Sequence, residues 1–317
     1  MRSALLQILA VTAFLAFWPS AALAGDRPSL DIDRFDVPDA EIETKMLIPD
    51  AATFRRMLKL DDTYFTVQLP SGKKVRYGIE FYEDRLYRDR FQDGPSLQLY
   101  DEGDLLRERA RYELNEEEEW EHKNTSFQAK NGAAKETELD SSLHTRSEIR
   151  GKQFKSREKF ERQREESLAA DSEDEAVRYS RESNRFRGKY ETVVSSKQKR
   201  TFLAFWPIGD SWKKDPTLIL SLDPIQFTGH VGKKGRALVR MAELELHDDL
   251  SENSPKIRER KLLILSAVSA KLQKRFGLKP TRFNKYEMGV MLTVLSRRKT
   301  LPREKLKAPA ARGLKAR

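Results

Sequence analysis

Charged residues recur at every second position in four separate stretches of this 317-residue chain. Glu41, Glu43 and Lys45 form one such set, Arg107, Arg109 and Arg111 a second, Arg146, Glu148 and Arg150 a third. Glu243 and Glu245 form a fourth, with Ala242, Leu244 and Leu246 between and beside them on the other face. Side chains alternate across a strand, so each set points one way together. One stretch of this kind reads as an amphipathic edge strand with its charges in water. Four stretches of mixed sign read as a curled sheet, apolar toward helices on one face and enclosing a hydrated, charged lumen on the other. Such a lumen suits a polyanion with a divalent metal. Carboxylate oxygens are the ligands Mg²⁺ and Mn²⁺ prefer, and arginine forks match phosphate oxygens bidentately.

The remaining pattern supplies elements for that sheet. Residues 41–47 predict a strand and 50–60 a short helix. Residues 64–69 and 74–81 flank Pro70-Ser71-Gly72, which is hairpin chemistry. Further strands are predicted over 105–113, 126–130, 145–152, 200–206, 218–222 and 237–246. A helix is predicted over 255–276, with Ile257, Leu262, Leu265, Val268 and Leu272 near one face, Gly277 placed as its C-cap and Pro280 beyond. Residues from about 154 to 187 are dense in Arg, Glu, Lys and Ser and read as a charged helical insertion or a mobile excursion. Glu116 to Glu119 reads as a solvated loop.

The ends of the chain bear on where it works. Residues 1–24 have the form of a cleavable signal peptide: Arg2, a 15-residue apolar run over 4–18, then Ala22-Leu23-Ala24 before Gly25. That run is short of the roughly 20 residues a membrane-spanning helix needs, so export to a periplasm or the medium is expected, without a stable membrane span. Residues 25–39 read as an irregular lead-in and 40–296 as the folded domain. Residues 297–317 read as a basic, disordered tail. The net charge of +10 belongs mostly to that tail, which holds nine Lys/Arg and one Glu. The body is near neutral, which argues against a specific nucleic-acid partner. With no Cys, the protein relies on core packing and has neither disulfides nor thiolate chemistry. His122, His144, His230 and His247 lack metal-ligand spacing. Gly232-Lys233-Lys234-Gly235 lacks the P-loop pattern, and there is no G-x-S-x-G elbow.

Several motifs, in order along the body, resemble one family. Glu41-Ile42-Glu43-Thr44-Lys45 is similar to the E-x-E-x-K signature of the CYTH superfamily, the triphosphate tunnel metalloenzymes. Phe91-Gln92-Asp93-Gly94, Leu97, Leu99, Gly103 and Leu106-Arg107-Glu108-Arg109 resemble its next conserved stretch, and Phe127 to Lys130 and Arg146-Ser147-Glu148 its middle strands. Leu222-Asp223, Ala242 to Leu246, Gly277-Leu278-Lys279-Pro280 and Asn284-Lys285-Tyr286 resemble its later ones. The resemblance implies an α+β fold, an antiparallel eight-stranded β-tunnel with surrounding helices. It implies metal on the side of Glu41, Glu43, Glu243 and Glu245, with Glu148 and Asp223 as additions, and Mg²⁺ or Mn²⁺ as cofactor. It assigns phosphate binding to Lys45, Arg107, Arg109, Lys130, Arg146 and Lys285, with Arg200 a further candidate, and catalysis to Glu41 and Glu43. Gly94 and Asn284 depart from the family pattern, Gln92 and Phe127 match it loosely, and stretches near 112–124 and 154–187 are longer than compact members need.

The expected activity is metal-dependent hydrolysis of phosphoanhydride bonds in inorganic triphosphate, short polyphosphate or nucleoside triphosphate. The alternative is a non-catalytic, extracytoplasmic binder of polyphosphate or another polyanion. Polyphosphate synthesis fits an exported chain less well, because it draws on intracellular nucleotide. The expected partner is a phosphate-rich small molecule or polymer.

Overall fold

A computed structural model of the protein describes residues 41–69, 71–130, 135–137, 140–146, 148–208, 217–231, 235–246 and 255–295, with backbone alone for Glu41, 135–137, 140–146 and 255–259. The leader, lead-in and basic tail predicted from the sequence lie outside these residues.

The described strands are β1 (Glu41–Leu47), β2 (Thr63–Gln68), β3 (Lys74–Asp93), β4 (Leu105–Leu114), β5 (Trp120–Lys130), β6 (Lys135–Thr137), β7 (Asp140–Arg146), β8 (Glu148–Arg150), β9 (Glu191–Pro207), β10 (Leu218–Gly229), β11 (Arg236–Leu246) and β12 (Lys279–Pro280). The helices are α1 (Ala51–Leu58), α2 (Gln98–Glu102), α3 (Arg157–Ser167), α4 (Glu175–Ser183), α5 (Pro255–Phe276) and α6 (Lys285–Thr293). All strand pairings are antiparallel and join into one sheet in the order β6-β7-β1-β11-β10-β9-β3-β4-β5-β8, with β12 on β1 and β2 on β3.

The α+β class and antiparallel sheet are as the sequence led us to expect. Eight strands, from β1 round to β8, make the expected wall, but they belong to a twelve-stranded sheet that hydrogen bonding leaves open. The chain itself joins the two flanks. β7 pairs with β1 (Arg146 opposite Glu41) and β8 with β5 (Glu148 opposite Lys130), and one residue separates β7 from β8. Consecutive Cα atoms are 3.8 Å apart, so the two flanks are held together and the sheet curls into a cup.

The apolar core lies outside the cup. Met46, Leu203, Phe205, Leu220, Leu222, Ala242 and Leu244 face outward from the sheet and meet Met57 of α1 and Leu262, Leu265, Val268 and Leu272 of α5. At about 25 cal/mol per Å² of apolar surface, this burial dominates the stability of a chain without cross-links. Asp50 caps α1 by accepting from the Thr53 N–H at 2.7 Å. Gly277 ends α5 in the left-handed region (φ +65°), while the Leu278 N–H reaches back to the Gln273 carbonyl.

Helix α6 covers one end of the cup. Tyr286 stacks on Phe91 of β3, with centroids 5.5 Å apart. Gly289 lies so close to Val194 and Phe227 that an added Cβ would come within 2.7 Å of Val194 Cγ1. The charge-rich stretch after residue 153 is two helices laid on the sheet, each anchored by sparse apolar residues: Phe160 from α3, Ala176, Val177 and Tyr179 from α4, all buried. Residues 112–124 form the outer half of the β4–β5 hairpin, where Tyr112 packs with Leu86, Ala110 and Trp120. Glu117, Glu118 and Glu119 at its tip are exposed.

Candidate phosphate site in the cup

The inward faces of β1, β3, β4, β5, β8, β9 and β11, with the first turn of α6, surround a cavity of about 280 Å³. This is at the lower edge of the size range of small-molecule sites, so the site suits a compact ligand. Its wall carries nine cationic side chains (Lys45, Arg85, Arg107, Arg109, Arg111, Lys130, Arg150, Arg200 and Lys285) against four acidic ones (Glu43, Glu148, Glu243 and Glu245). A near-neutral body has gathered an excess of five positive charges into one concavity, and low-dielectric walls focus such a field on an anion.

The arginine set of β4 sits where strand alternation puts it. Arg107 donates to Gln128 Oε1 (2.7 Å) and Glu148 Oε2 (3.2 Å). Arg109 is held bidentately by Asp89 of β3 (2.8 and 2.7 Å) and lies 4.3 Å over the Tyr87 ring. Asp89 is fully buried, yet Arg109 outweighs that burial and keeps its carboxyl below the ordinary range. Arg111 pairs with Glu113.

A second group lies at the foot of β9, β10 and β11. Arg200 Nε donates to both oxygens of Asp223 (2.8 and 3.1 Å), and its Nη2 donates to Asp223 (2.5 Å) and to Glu243. Lys285 donates to the same two carboxylates at 2.9 and 3.1 Å. Lys285 is the first residue of α6, and Asn284 before it caps that helix in a capping box with Glu287. Burial opposes ionisation of Asp223 and Glu243; Arg200 and Lys285 overcome it and lower both carboxyls, Glu243 strongly. Glu148 is lowered in the same way, its burial outweighed by Lys130 (2.8 Å), Arg107 and Arg150.

The structure therefore gathers Glu43, Lys45, Arg107, Arg109, Lys130, Glu148, Arg200, Glu243, Glu245 and Lys285 around one cavity, with Asp223 directly beneath Arg200 and Lys285. Glu41 and Arg146 face each other as Cα partners across β1 and β7, and their side chains lie outside the described residues. Of the acidic set, Glu43, Glu148, Asp223 and Glu243 all have oxygens against cations. Among the described residues no three Asp, Glu or His side chains converge to hold a metal. Glu43, ion-paired with Lys45 of the same strand, and Glu245 are Cα partners on β1 and β11 and face the same lumen. Two carboxylates, completed by water and phosphate oxygens, are a donor set that fits Mg²⁺ or Mn²⁺.

Asp89, Tyr87, Arg85 and Gln128 were not anticipated, and Arg150 was read on the charged face without a role. The signal for the first three was available: Arg85, Tyr87 and Asp89 alternate on β3 and face Arg200, Gln198 and Ser196.

No protein family and no curated protein matches the chain. Solved structures do resemble it. One is protein PH1819 of Pyrococcus horikoshii (14% identity, 79% of this chain and 98% of that one, TM-score 0.40). A candidate adenylyl cyclase from Hippeastrum, whose structure reveals a dominant triphosphatase activity, is 14% identical over 79% of this chain and 95% of its own, with TM-score 0.44. A candidate adenylate cyclase from Bacillus halodurans is 16% identical over 72% and 92%, with TM-score 0.38. At such identities and TM-scores the likeness is in the course of the chain, and the chemistry of the site rests on its own lining.

Proposed function

We propose that this chain is a metal-dependent hydrolase of phosphoanhydride bonds, acting outside the cytoplasm on inorganic triphosphate, short polyphosphate or nucleoside triphosphate. The observation that carries the reading is the cationic wall around a small cavity, with Glu43 and Glu245 opposite one another beside it. Cross-strand partners of like charge destabilise a sheet. Both Glu43–Glu245 and Arg85–Arg200 are such pairs. Neighbours already offset part of each: Lys45 at Glu43, Glu83 at Arg85, and Asp223 with Glu243 at Arg200. A metal ion bound to phosphate would add counter-charge to both.

In this reading Lys45, Arg107, Arg109, Lys130 and Lys285 bind the non-bridging oxygens of the phosphate chain. Asp89 takes two donors of Arg109 and fixes its plane, leaving the remaining N–H groups for phosphate. Glu43 and Glu245 would hold Mg²⁺ or Mn²⁺, which when bound neutralises phosphate charge and acidifies a coordinated water. A water oxygen attacks the terminal phosphorus, the P–O bond to the bridging oxygen breaks, and the water's proton passes to a carboxylate of the Glu41/Glu43 pair. Triphosphate thus yields orthophosphate and diphosphate. Buried donors positioned in advance are worth more here than in water.

Purified protein supplied with Mg²⁺ or Mn²⁺ should release orthophosphate from inorganic triphosphate, and Glu43→Ala should abolish release while triphosphate still binds. Absence of turnover across triphosphate, polyphosphate and nucleotides would refute the hydrolase reading. The alternative is a non-catalytic polyanion binder, which the excess of cations on the cavity wall also suits. Tight metal-independent binding without turnover, lost in Arg107→Ala, would decide for it.

A further inference from the structure

The face that lines the cup continues past its open end along β9, β3 and β2. There Trp206, Gly78 and Tyr64 are successive cross-strand partners, and residues directly opposite one another share a face. Strand alternation places Trp206 on the same side as Arg200 and Phe202, both in the cavity wall. Trp206 packs against a cluster of Phe202, Ala204 and Ile219, so an apolar strip runs from the cavity wall outward. Phe65, Tyr77 and Phe205 occupy the other face and are buried in the core. Tyr64 is 65% exposed, and Arg76 stacks 4.3 Å over its ring.

Gly78 stands between the two aromatics, and a Cβ built on it would meet nothing within 4 Å. Adjacent strands are about 4.8 Å apart, so Trp206 and Tyr64 rise from strands roughly 9.6 Å apart with no side chain at the Gly78 position between them. Arg76, two residues along the middle strand, covers one face of Tyr64 and would swing aside for a ring bound there. One planar ring stacked on both sides needs about 7 Å, two contact distances of ~3.5 Å. The slot admits one ring and not two. The Trp206 indole N–H is buried and has no hydrogen-bond partner among the described residues, so the subsite rests on the ring faces alone. Along β9 the slot lies four residues beyond Phe202, about 13 Å at 3.3 Å per residue.

We propose that Trp206, Gly78 and Tyr64 form a stacking subsite for the planar ring of an organic triphosphate, whose phosphate chain enters the cup. This rests on the phosphate reading of the cavity and names its substrate as a nucleotide-like molecule. The ring stacks between the two aromatics, the sugar crosses the Phe202–Ile219 strip, and the phosphates reach Arg85 and Arg200. Stacking a base on an aromatic is worth ~1–3 kcal/mol, a factor of about 5 to 150 in affinity.

Calorimetric titration with the imido analogues of ATP and of inorganic triphosphate, both with Mg²⁺, tests this. The wild-type protein should bind the ATP analogue at least about fivefold more tightly. Gly78→Val fills the slot, and Trp206→Ala removes one wall. Each should erase that preference while leaving the triphosphate analogue unchanged. Glycine is unfavourable in a strand interior, so Gly78→Val should keep or raise the unfolding temperature, which separates loss of the slot from loss of the fold. Equal affinity for the two analogues in the wild type, or equal weakening of both by Gly78→Val, overturns the subsite and leaves the phosphate site standing. Failure of the wild type to bind either analogue overturns the phosphate reading, and the subsite with it.

Discussion

Replacing Asp223 with Asn removes one negative charge from beneath the lumen while keeping the outline of the side chain. Asp223 is fully buried and receives three hydrogen bonds from Arg200 and one from Lys285. Removing one partner of a buried ion pair costs ~3–5 kcal/mol. Arg200 and Lys285 both keep Glu243, and the Asn oxygen still accepts one bond, so the lower end, about 3 kcal/mol, applies. At ~2–4 °C per kcal/mol for a domain of this size, the unfolding midpoint should fall by about 6–12 °C at neutral pH. The sign with pH follows from the lowered carboxyl. A group whose folded pKa is depressed contributes stability above its unfolded value, about 3.9, and loses it as pH falls through the folded value. The gap between wild type and Asp223→Asn should therefore be widest at neutral pH and narrow on acidification. Thermal unfolding followed by circular dichroism, with and without inorganic triphosphate, measures both effects. Triphosphate should stabilise the variant at least as much as the wild type, because the wall has become more positive. An unchanged midpoint together with lost metal binding would refute the positioning role and return Asp223 to the metal.

Other substitutions probe separate parts of the structure. Arg109→Met leaves Asp89 buried without its bidentate partner, and should lower the midpoint by more than Asp223→Asn while weakening triphosphate binding by calorimetry. Asn284→Ala removes the cap of α6 at a cost of ~1 kcal/mol, a drop of about 2–4 °C measurable by the same melts. Gly289→Val drives a side chain into Val194 and Phe227, and should cost ~1–3 kcal/mol by overpacking, seen as a lower denaturant midpoint. Triphosphate affinity should fall steadily as KCl is raised from 50 to 500 mM, and an affinity indifferent to salt would contradict a site held by charge.

How legible this was in the sequence depended on whether a segment has an apolar face. Strand β1 and helix α5 were read with their bounds, because Met46 alternates with the Glu43–Lys45 face and Leu262, Leu265, Val268 and Leu272 repeat at helical spacing. The second half of β3 was not read as strand. Its inward face carries Arg85, Tyr87 and Asp89, and its outward face carries Arg88 and Arg90, which meets Glu161 of α3 at 2.6 Å. With polar residues on both faces, period-two hydropathy disappears. Helices α3 and α4 were blurred for a related reason, since α3 buries one aromatic, Phe160, amid charged residues. The site was read as a collection of residue types, and ten of those residues do meet at one cavity. Which carboxylate faces a metal and which faces an arginine depends on register across β3, β9, β10 and β11, which a single sequence does not encode.

The placement of α6 has a consequence for traffic. A cup whose floor is a helix, with Tyr286 stacked on Phe91 and Gly289 pressed on Val194, is stopped at that end among the described residues. A polymer should therefore not thread past α6, so a chain-like substrate should be read from a terminus, with its cleaved end leaving by the way it entered. Rings and end-blocked polyphosphates should be refused whatever their charge, and release of product should compete directly with entry of the next molecule.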